Sequence, residues 1–234
     1  NKFTENEFTI ELKDKCILNI DDNIIGVKIA QPRSYLSTEP AVLRANKNNF
    51  DAVKQVWDRA DTLERCGHIP DKIEILVLGG TWSHYPNEYQ YEFVRDIYYA
   101  ANTFKDFRGR NRNTLEAEIM MNENAECRII GLTLETRPDC INTREIKLLR
   151  IYNTTRVQLG IQHIDDDVLK YINRGCNLSH TIRSALLLKH NGFKIDWHLM
   201  PDLPGSNYEK DYDMFRKLLS HEKNYIYKHH IVYK

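Results

Sequence analysis

The sequence predicts an α/β protein, a parallel sheet with helices outside it, and three observations carry that expectation. Short, β-branched apolar runs recur along the chain. Capped helical patterns fall between them. The segments that follow the runs concentrate glycine, proline and charge, and the segments at the opposite ends do not.

In chain order the runs are "NIIGVKIA" (23–30), "KIEILVL" (72–78), "RIIGLTL" (128–134), "RVQLGI" (156–161) and "FKIDWHL" (193–199). After the first, Asp51 is placed to cap a helix in which Val53, Val56, Trp57, Ala60 and Leu63 recur at helical spacing, and Gly67 stands at its C-terminal cap. After the third, "NTRE" (142–145) has the form of a capping box, followed by the stripe Ile146, Leu149 and Tyr152. Before the fifth lies a helix with Ile182, Ala185 and Leu186, closed by Gly192. "HHIVYK" (229–234) is the candidate sixth strand. Near-continuous apolar strands imply cover on both sheet faces. An open doubly wound sheet and a full or partial barrel both satisfy this, and in either the ligands bind at the carboxyl ends of the strands.

Composition narrows the class. A chain of 234 residues with 41% hydrophobic content buries roughly 70–75% of its unfolded surface, and with no linker or low-complexity run the expectation is one domain over 1–234. Lys plus Arg (33) equals Asp plus Glu (33), so no global field draws in nucleic acid and any such contact is a local patch. Cys16, Cys66, Cys127, Cys140 and Cys176 are odd in number and far apart, with no long apolar span and no signal peptide, which points to reduced thiols in a cytoplasmic or nuclear protein and to no membrane. His84, His163 and His198 show no metal-ligand spacing, and no metal ligand is assigned among the residues present.

The loops after strands two to five read "GGTW" (79–82), "ETRPD" (135–139), "QHIDDDVLKYINRG" (162–175) and "MPDLPGS" (200–206). Taken with their strands, as "LVLGGTW", "GLTLETRPD", "TRVQLGIQ", "NRG" and "MPDLPG", they resemble the radical S-adenosylmethionine enzymes and, within them, the family of the Elongator catalytic subunit, which modifies the tRNA wobble uridine. The likeness runs from about residue 24 to 206. It implies a partial (β/α)6 barrel. It also implies a 4Fe-4S cluster, S-adenosylmethionine, and acetyl-CoA as co-substrate for a carboxymethyl-type modification at carbon 5 of the uridine.

The resemblance carries a cofactor role onto particular residues. Gly79, Gly80 and Thr81 would hold the methionine amino group, where glycines let backbone carbonyls come close. Glu135 is suited to accept from a ribose and Arg137 to pair with an anion, although the two residues pairing with each other is an equal reading. Gln162 would touch the ribose, and Arg174 would clamp the cofactor carboxylate bidentately, the plain alternative being a cation near a helix end. Met200, Asp202 and Leu203 would border the adenine on a backbone stiffened by two prolines, and His198 is a further cofactor-binding candidate. The anticodon stem-loop of tRNA is the implied partner, with Arg33, Arg44 and Lys47, and Arg108, Arg110 and Arg112 of "FKDFRGRNRN" (104–113), as candidate phosphate contacts. Elongator-like subunits or an electron donor are the other implied partners.

One junction departs from the family pattern. The cluster cysteines of these enzymes sit on the loop after strand one, yet here "IIGVKIA" passes directly into "QPRSYLSTEPAVLRA". The expectation is a cysteine-bearing segment belonging between Ala30 and Gln31 and omitted from this sequence. A true deletion is the rival, and would leave a cluster-free tRNA-binding or Elongator-like assembly module. A third reading is another radical enzyme with a different substrate.

Overall fold

The computed structural model describes residues 8–12, 16–21, 24–29, 38–78, 80–106 and 109–219, with side chains from residue 38 onward. In chain order the elements are β1 (Phe8–Leu12), β2 (Cys16–Asp21), β3 (Ile24–Ile29), α1 (Pro40–Lys47), α2 (Ala52–Arg65), β4 (Lys72–Val77), α3 (Asn87–Thr103), α4 (Leu115–Asn122), β5 (Arg128–Thr136), α5 (Thr143–Ile151), β6 (Arg156–Gln162), α6 (Asp166–Tyr171), α7 (Leu178–His190), β7 (Lys194–Leu199) and α8 (Tyr208–Leu219). They divide into two compact units. One takes the described residues to Asp71 with Leu78–Gly80 and Tyr85–Cys127, and the other takes Lys72–Val77, Thr81–His84 and the described residues from Arg128 onward.

In the first unit β1, β2 and β3 form an antiparallel meander. The expected first parallel strand is therefore the last strand of a hairpin. The reason is local: Asp21 pairs with Ile24, and strands so near in the chain can only pair antiparallel, since a parallel crossover needs a dozen or more residues. The helices follow expectation. Asp51 accepts from the Lys54 N–H to open α2. Gly67 closes it at φ 85, and the His68 N–H returns to the Leu63 carbonyl at 3.0 Å, a Schellman closure. Val53 of α2 packs with Tyr99 and Ala100 of α3, and the Trp57 indole donates to the Ala100 carbonyl at 2.9 Å.

The second unit holds a four-stranded parallel sheet in the order β4-β5-β6-β7. Strand order follows chain order without reversal, so these strands wind as a barrel does and lack the switch point of a doubly wound sheet. Both faces of the central strands are covered, as expected, but they differ in character. Leu132, Leu134, Val157, Leu159 and Ile161 are buried to 1% exposure or less, each worth about 1.5–3 kcal/mol. Ile195, Trp197 and Leu199 continue that face onto Ala185 of α7 and Met214 and Leu218 of α8. Thr133, Glu135, Gln158, Asp196 and His198 alternate with them and make the other face polar. The period-2 alternation of "KIDWHL" and "RVQLGIQ" already encodes this, and β-branched content hides it.

The candidate sixth strand (229–234) and the Ala30–Gln31 junction lie outside the described residues.

Candidate cofactor site

The site is built where β5, β6 and β7 end. On the polar face Glu135 Oε1 lies 3.5 Å from His198 Nδ1, so the outer strands β5 and β7 reach toward each other across β6. Gln158, paired in register with both Glu135 and Asp196, is 9% exposed, and its Oε1 has no hydrogen-bond partner.

Beyond α6 the chain turns at Asn173 and Gly175, both at positive φ, and Arg174 points back to β6. Its Nη2 donates to the Gly160 carbonyl at 2.5 Å, while its Nε is buried with no hydrogen-bond partner. Burial pulls the guanidinium below its ordinary pKa, and Arg137 nearby adds to the shift against the opposing pull of Cys176. A Cβ on Gly160 would stand 2.9 Å from Arg174 Nη2. That explains the glycine in a buried strand: any side chain there displaces the arginine. Arg137 is placed differently. It holds Asp139 through two bonds of 2.9 Å. Burial works against its charge, but the Asp139 contacts outweigh burial and raise its pKa. The Glu135–Arg137 pairing weighed from sequence gives way to Glu135–His198 and Arg137–Asp139, because β7 brings His198 across β6 to Glu135 and Asp139 sits one short turn ahead of the arginine.

Two backbone positions at this edge are strained. Gln162 has φ 70 and Asp202 φ 61, and neither is glycine or asparagine, so each carries a cost of about 1–3 kcal/mol. At Gln162 the β6–β7 register shifts, and its carbonyl accepts the Met200 N–H at 2.8 Å, joining the two loops. Leu203 is half-buried and closes a turn through the Ser206 N–H at 2.8 Å. Glu135, Gln162, Arg174, His198, Met200, Asp202 and Leu203 thus belong to one unit and to its carboxyl-edge segments. Thr81, in the same unit, opens a short turn by accepting the His84 N–H. Gly80, at φ 84, is carried by the first unit, and Gly79 lies outside the described residues.

Sequence reasoning missed a polar cluster at the end of β5. Ser83 Oγ donates to Glu145 Oε1 at 2.7 Å and meets Thr136 Oγ1 at 2.6 Å. Asn142 caps α5 through the Glu145 N–H, but the Glu145 side chain serves Ser83, so the capping box is half made. Burial raises the Glu145 carboxyl pKa, against the lowering effects of Ser83 and Arg144. Nothing local in the sequence joins residues 83 and 145. Gln158 and Gly160 were legible as the off-beat positions of "RVQLGIQ".

The tRNA candidates belong to the first unit. Arg110 pairs with Glu118 through two bonds of 2.7 Å, and Arg112 bonds Asp96 at 2.8 Å. Both guanidiniums lie over the Tyr99 ring, at 4.9 and 5.0 Å. Lys47 pairs with Asp58 at 2.7 Å, and Arg44 lies in the last turn of α1. Arg33 and Arg108 lie outside the described residues.

The arrangement fits one implied cofactor and not the other. A guanidinium held under a glycine carbonyl with a buried, unused N–H suits the carboxylate of S-adenosylmethionine. A 4Fe-4S cluster finds no ligand set among the described residues: no group of three His, Cys, Asp or Glu side chains is placed to hold a metal. Cys66 is exposed while Cys127 and Cys176 are buried. Burial pushes the Cys127 thiol up to about 11, the opposite of what a thiolate ligand needs.

An α/β protein with parallel strands wound in chain order and an incomplete arginine at their carboxyl ends is a cofactor-binding barrel in class. The chain belongs to the Radical SAM superfamily, whose model matches residues 55–218 and whose membership implies a 4Fe-4S cluster and S-adenosylmethionine. It is 41% identical over 187 residues to the tRNA uridine(34) acetyltransferase of Dehalococcoides mccartyi, covering 80% of this chain and 39% of that protein. To the mouse Elongator complex protein 3 it is 34% identical, over 78% of this chain and 32% of that one. A solved structure, the archaeal Methanocaldococcus infernus Elp3 with an N-terminus deletion, superposes with a TM-score of 0.71 at 37% identity, over 76% of this chain and 40% of the other. The chain therefore spans well under half the length of these relatives. Among the described residues no helix is long and apolar enough to cross a membrane.

Proposed function

We propose that this chain is the radical S-adenosylmethionine core of a tRNA-modifying enzyme that uses acetyl-CoA to place a carboxymethyl-type group on carbon 5 of the wobble uridine. Arg174 carries the reading: a half-buried guanidinium with a spare buried N–H, in the "NRG" position, at the edge where such a cofactor binds. The uridine and the acetyl donor come from the names of the relatives, tRNA uridine(34) acetyltransferases and Elongator complex protein 3.

Arg174 would take the cofactor carboxylate, Glu135 and Gln162 its ribose, Gly79, Gly80 and Thr81 its amino group, and His198, Met200, Asp202 and Leu203 its adenine. Arg137, already neutralised by Asp139, would shape the wall beside Arg174. S-adenosylmethionine, when bound, supplies the radical chemistry, and the protein orients it and keeps water away. The cluster ligands belong to a segment between Ala30 and Gln31, within a core spanning 1–234. Arg33, Arg44, Lys47, Arg108, Arg110 and Arg112 are the proposed phosphate contacts for the anticodon stem-loop, Arg110 being also paired with Glu118. Elongator-like subunits, an electron donor and a cytoplasmic or nuclear setting complete the reading.

The test begins with the gene across the codons for Ala30 and Gln31. Three cysteines between them, and 5′-deoxyadenosine released after anaerobic reconstitution of the gene product, are the expected results. A gene without those cysteines, whose product releases none, leaves the cluster-free binding module instead.

A further inference from the structure

The loop after β7 is tied down by a residue outside every motif quoted above. Asp211, in the first turn of α8, accepts three hydrogen bonds from two different segments. Its Oδ2 takes the Asp202 N–H at 2.7 Å. Its Oδ1 takes the Ser206 hydroxyl at 2.6 Å and lies 3.2 Å from His163 Nε2. His163, directly after β6, is 1% exposed, and its Nδ1 accepts the Asp165 N–H at 2.9 Å. The proton must then sit on Nε2, where it is donated to Asp211. Ser206 Oγ lies 3.4 Å from the same Nε2, so serine and histidine converge on one carboxylate. With Nδ1 filled by a backbone donor, this is a clasp and not a nucleophilic triad.

We propose that Asp211 is a positioning residue for the cofactor: by binding Asp202, Ser206 and His163 together it holds the 200–206 loop in its strained form against the end of β6. Two observations converge on this. Asp202 occupies φ 61, the left-handed region that side chains seldom adopt, and the Asp211 carboxylate holds its N–H. The Met200 N–H is bonded to the carbonyl of Gln162, the other strained residue of the edge, so the clasp fixes both ends of one short surface. Gly205, at φ 86, lets the loop pass the Tyr171 ring, which would stand 3.1 Å from any Cβ there, leaving the loop one path. The inference deepens the cofactor reading and rests on it, since it assigns Asp211 a role toward a ligand that Asp202 and Leu203 border.

The test uses the full gene product after anaerobic cluster reconstitution, with S-adenosylmethionine as the probe in equilibrium dialysis and amide hydrogen exchange as a second readout. Asp211→Asn removes the charge from its hydrogen bonds; at the usual worth of charge-assisted bonds it should weaken binding about tenfold and speed exchange at residues 202–206, with the sheet amides unchanged. Asp213→Asn, whose carboxylate among the described residues bonds Arg216 and Lys217 of its own helix, should leave both readouts as in the wild type. If Asp211→Asn does not fold, Ser206→Ala, which removes one bond and leaves α8 intact, should move both readouts in the same direction by less. Faster loop exchange with unchanged affinity overturns the proposal and leaves a purely structural clasp. A wild-type chain that binds no S-adenosylmethionine overturns the cofactor reading itself, and the inference with it.

Discussion

Arg110 and Arg174 are both arginines drawn partly out of water, and the protein treats them in opposite ways. Around Arg110 the polar network is closed. Glu118, 0% exposed, accepts two bonds from Arg110, one from the Asn113 N–H at 2.9 Å and one from Asn102 at 2.8 Å. Asn122 in turn bonds Asn102 at 2.8 Å and the Cys127 carbonyl at 3.1 Å. Around Arg174 the network is open: one carbonyl, the Cys176 thiol, a second arginine nearby, a buried Nε with no hydrogen-bond partner and, among the described residues, no carboxylate bonded to it. A closed network holds a fold together, whereas an open one near a strand edge is a place prepared for something else.

The largest effect should come from breaking the closed network. Glu118→Ala leaves Arg110, Asn102 and the Asn113 N–H without their acceptor, and by the usual cost of breaking a buried pair it should destabilise the protein by about 3–5 kcal/mol, read by denaturant unfolding. A loss under about 1 kcal/mol would mean the network is no stronger than a surface ion pair.

Next in size is the open network. Arg174→Ala removes a guanidinium with little left to lose, so unfolding should barely change, while S-adenosylmethionine binding should weaken about tenfold or more, the worth of a charge-assisted contact of about 1.5–3 kcal/mol. Calorimetric titration measures it. Unchanged affinity in a folded variant would reduce Arg174 to a helix-end cation.

The smallest effect sharpens the contrast through pH. At Glu118 burial works to raise the pKa, but Arg110, the Asn113 N–H and Asn102 together hold it below the usual 4.5. Its stabilisation is therefore present above about pH 4.5 and lost as pH falls through the lowered value. At Glu145 burial wins over Ser83 and Arg144, and the pKa is raised. Its stabilisation is present below about pH 4.5 and lost as pH rises through the raised value. Below about pH 4.5, then, Glu118→Gln should fall further behind the wild type as pH rises, while above about pH 4.5 Glu145→Gln should gain on it. Parallel unfolding curves for the two variants would refute the opposite signs.

Much of this was legible in the residues before any coordinates. Asp51, Gly67, Asn142 and Gly192 mark helix ends where the structure has them, because caps act within one turn and need no distant partner. The four parallel strands and the motifs at their carboxyl ends were readable for the same reason: period and punctuation are local. The antiparallel pairing of 24–29 is equally local, set by its nearness in the chain to 16–21, but a β-branched run next to a helix pattern has the look of the start of a crossover. What only the tertiary structure decided is who pairs with whom. Arg110 with Glu118, Arg137 with Asp139, Ser83 with Glu145 and Asp202 with Asp211 depend on how far each side chain is buried and which partner the packing brings within 3 Å. The sequence by itself determined that Arg174 would stand at the strand edge. That it stands there half-satisfied, its Nη2 on the Gly160 carbonyl and in the space a Cβ at 160 would need, follows from how the packing folds the arginine back onto β6, which no local pattern encodes.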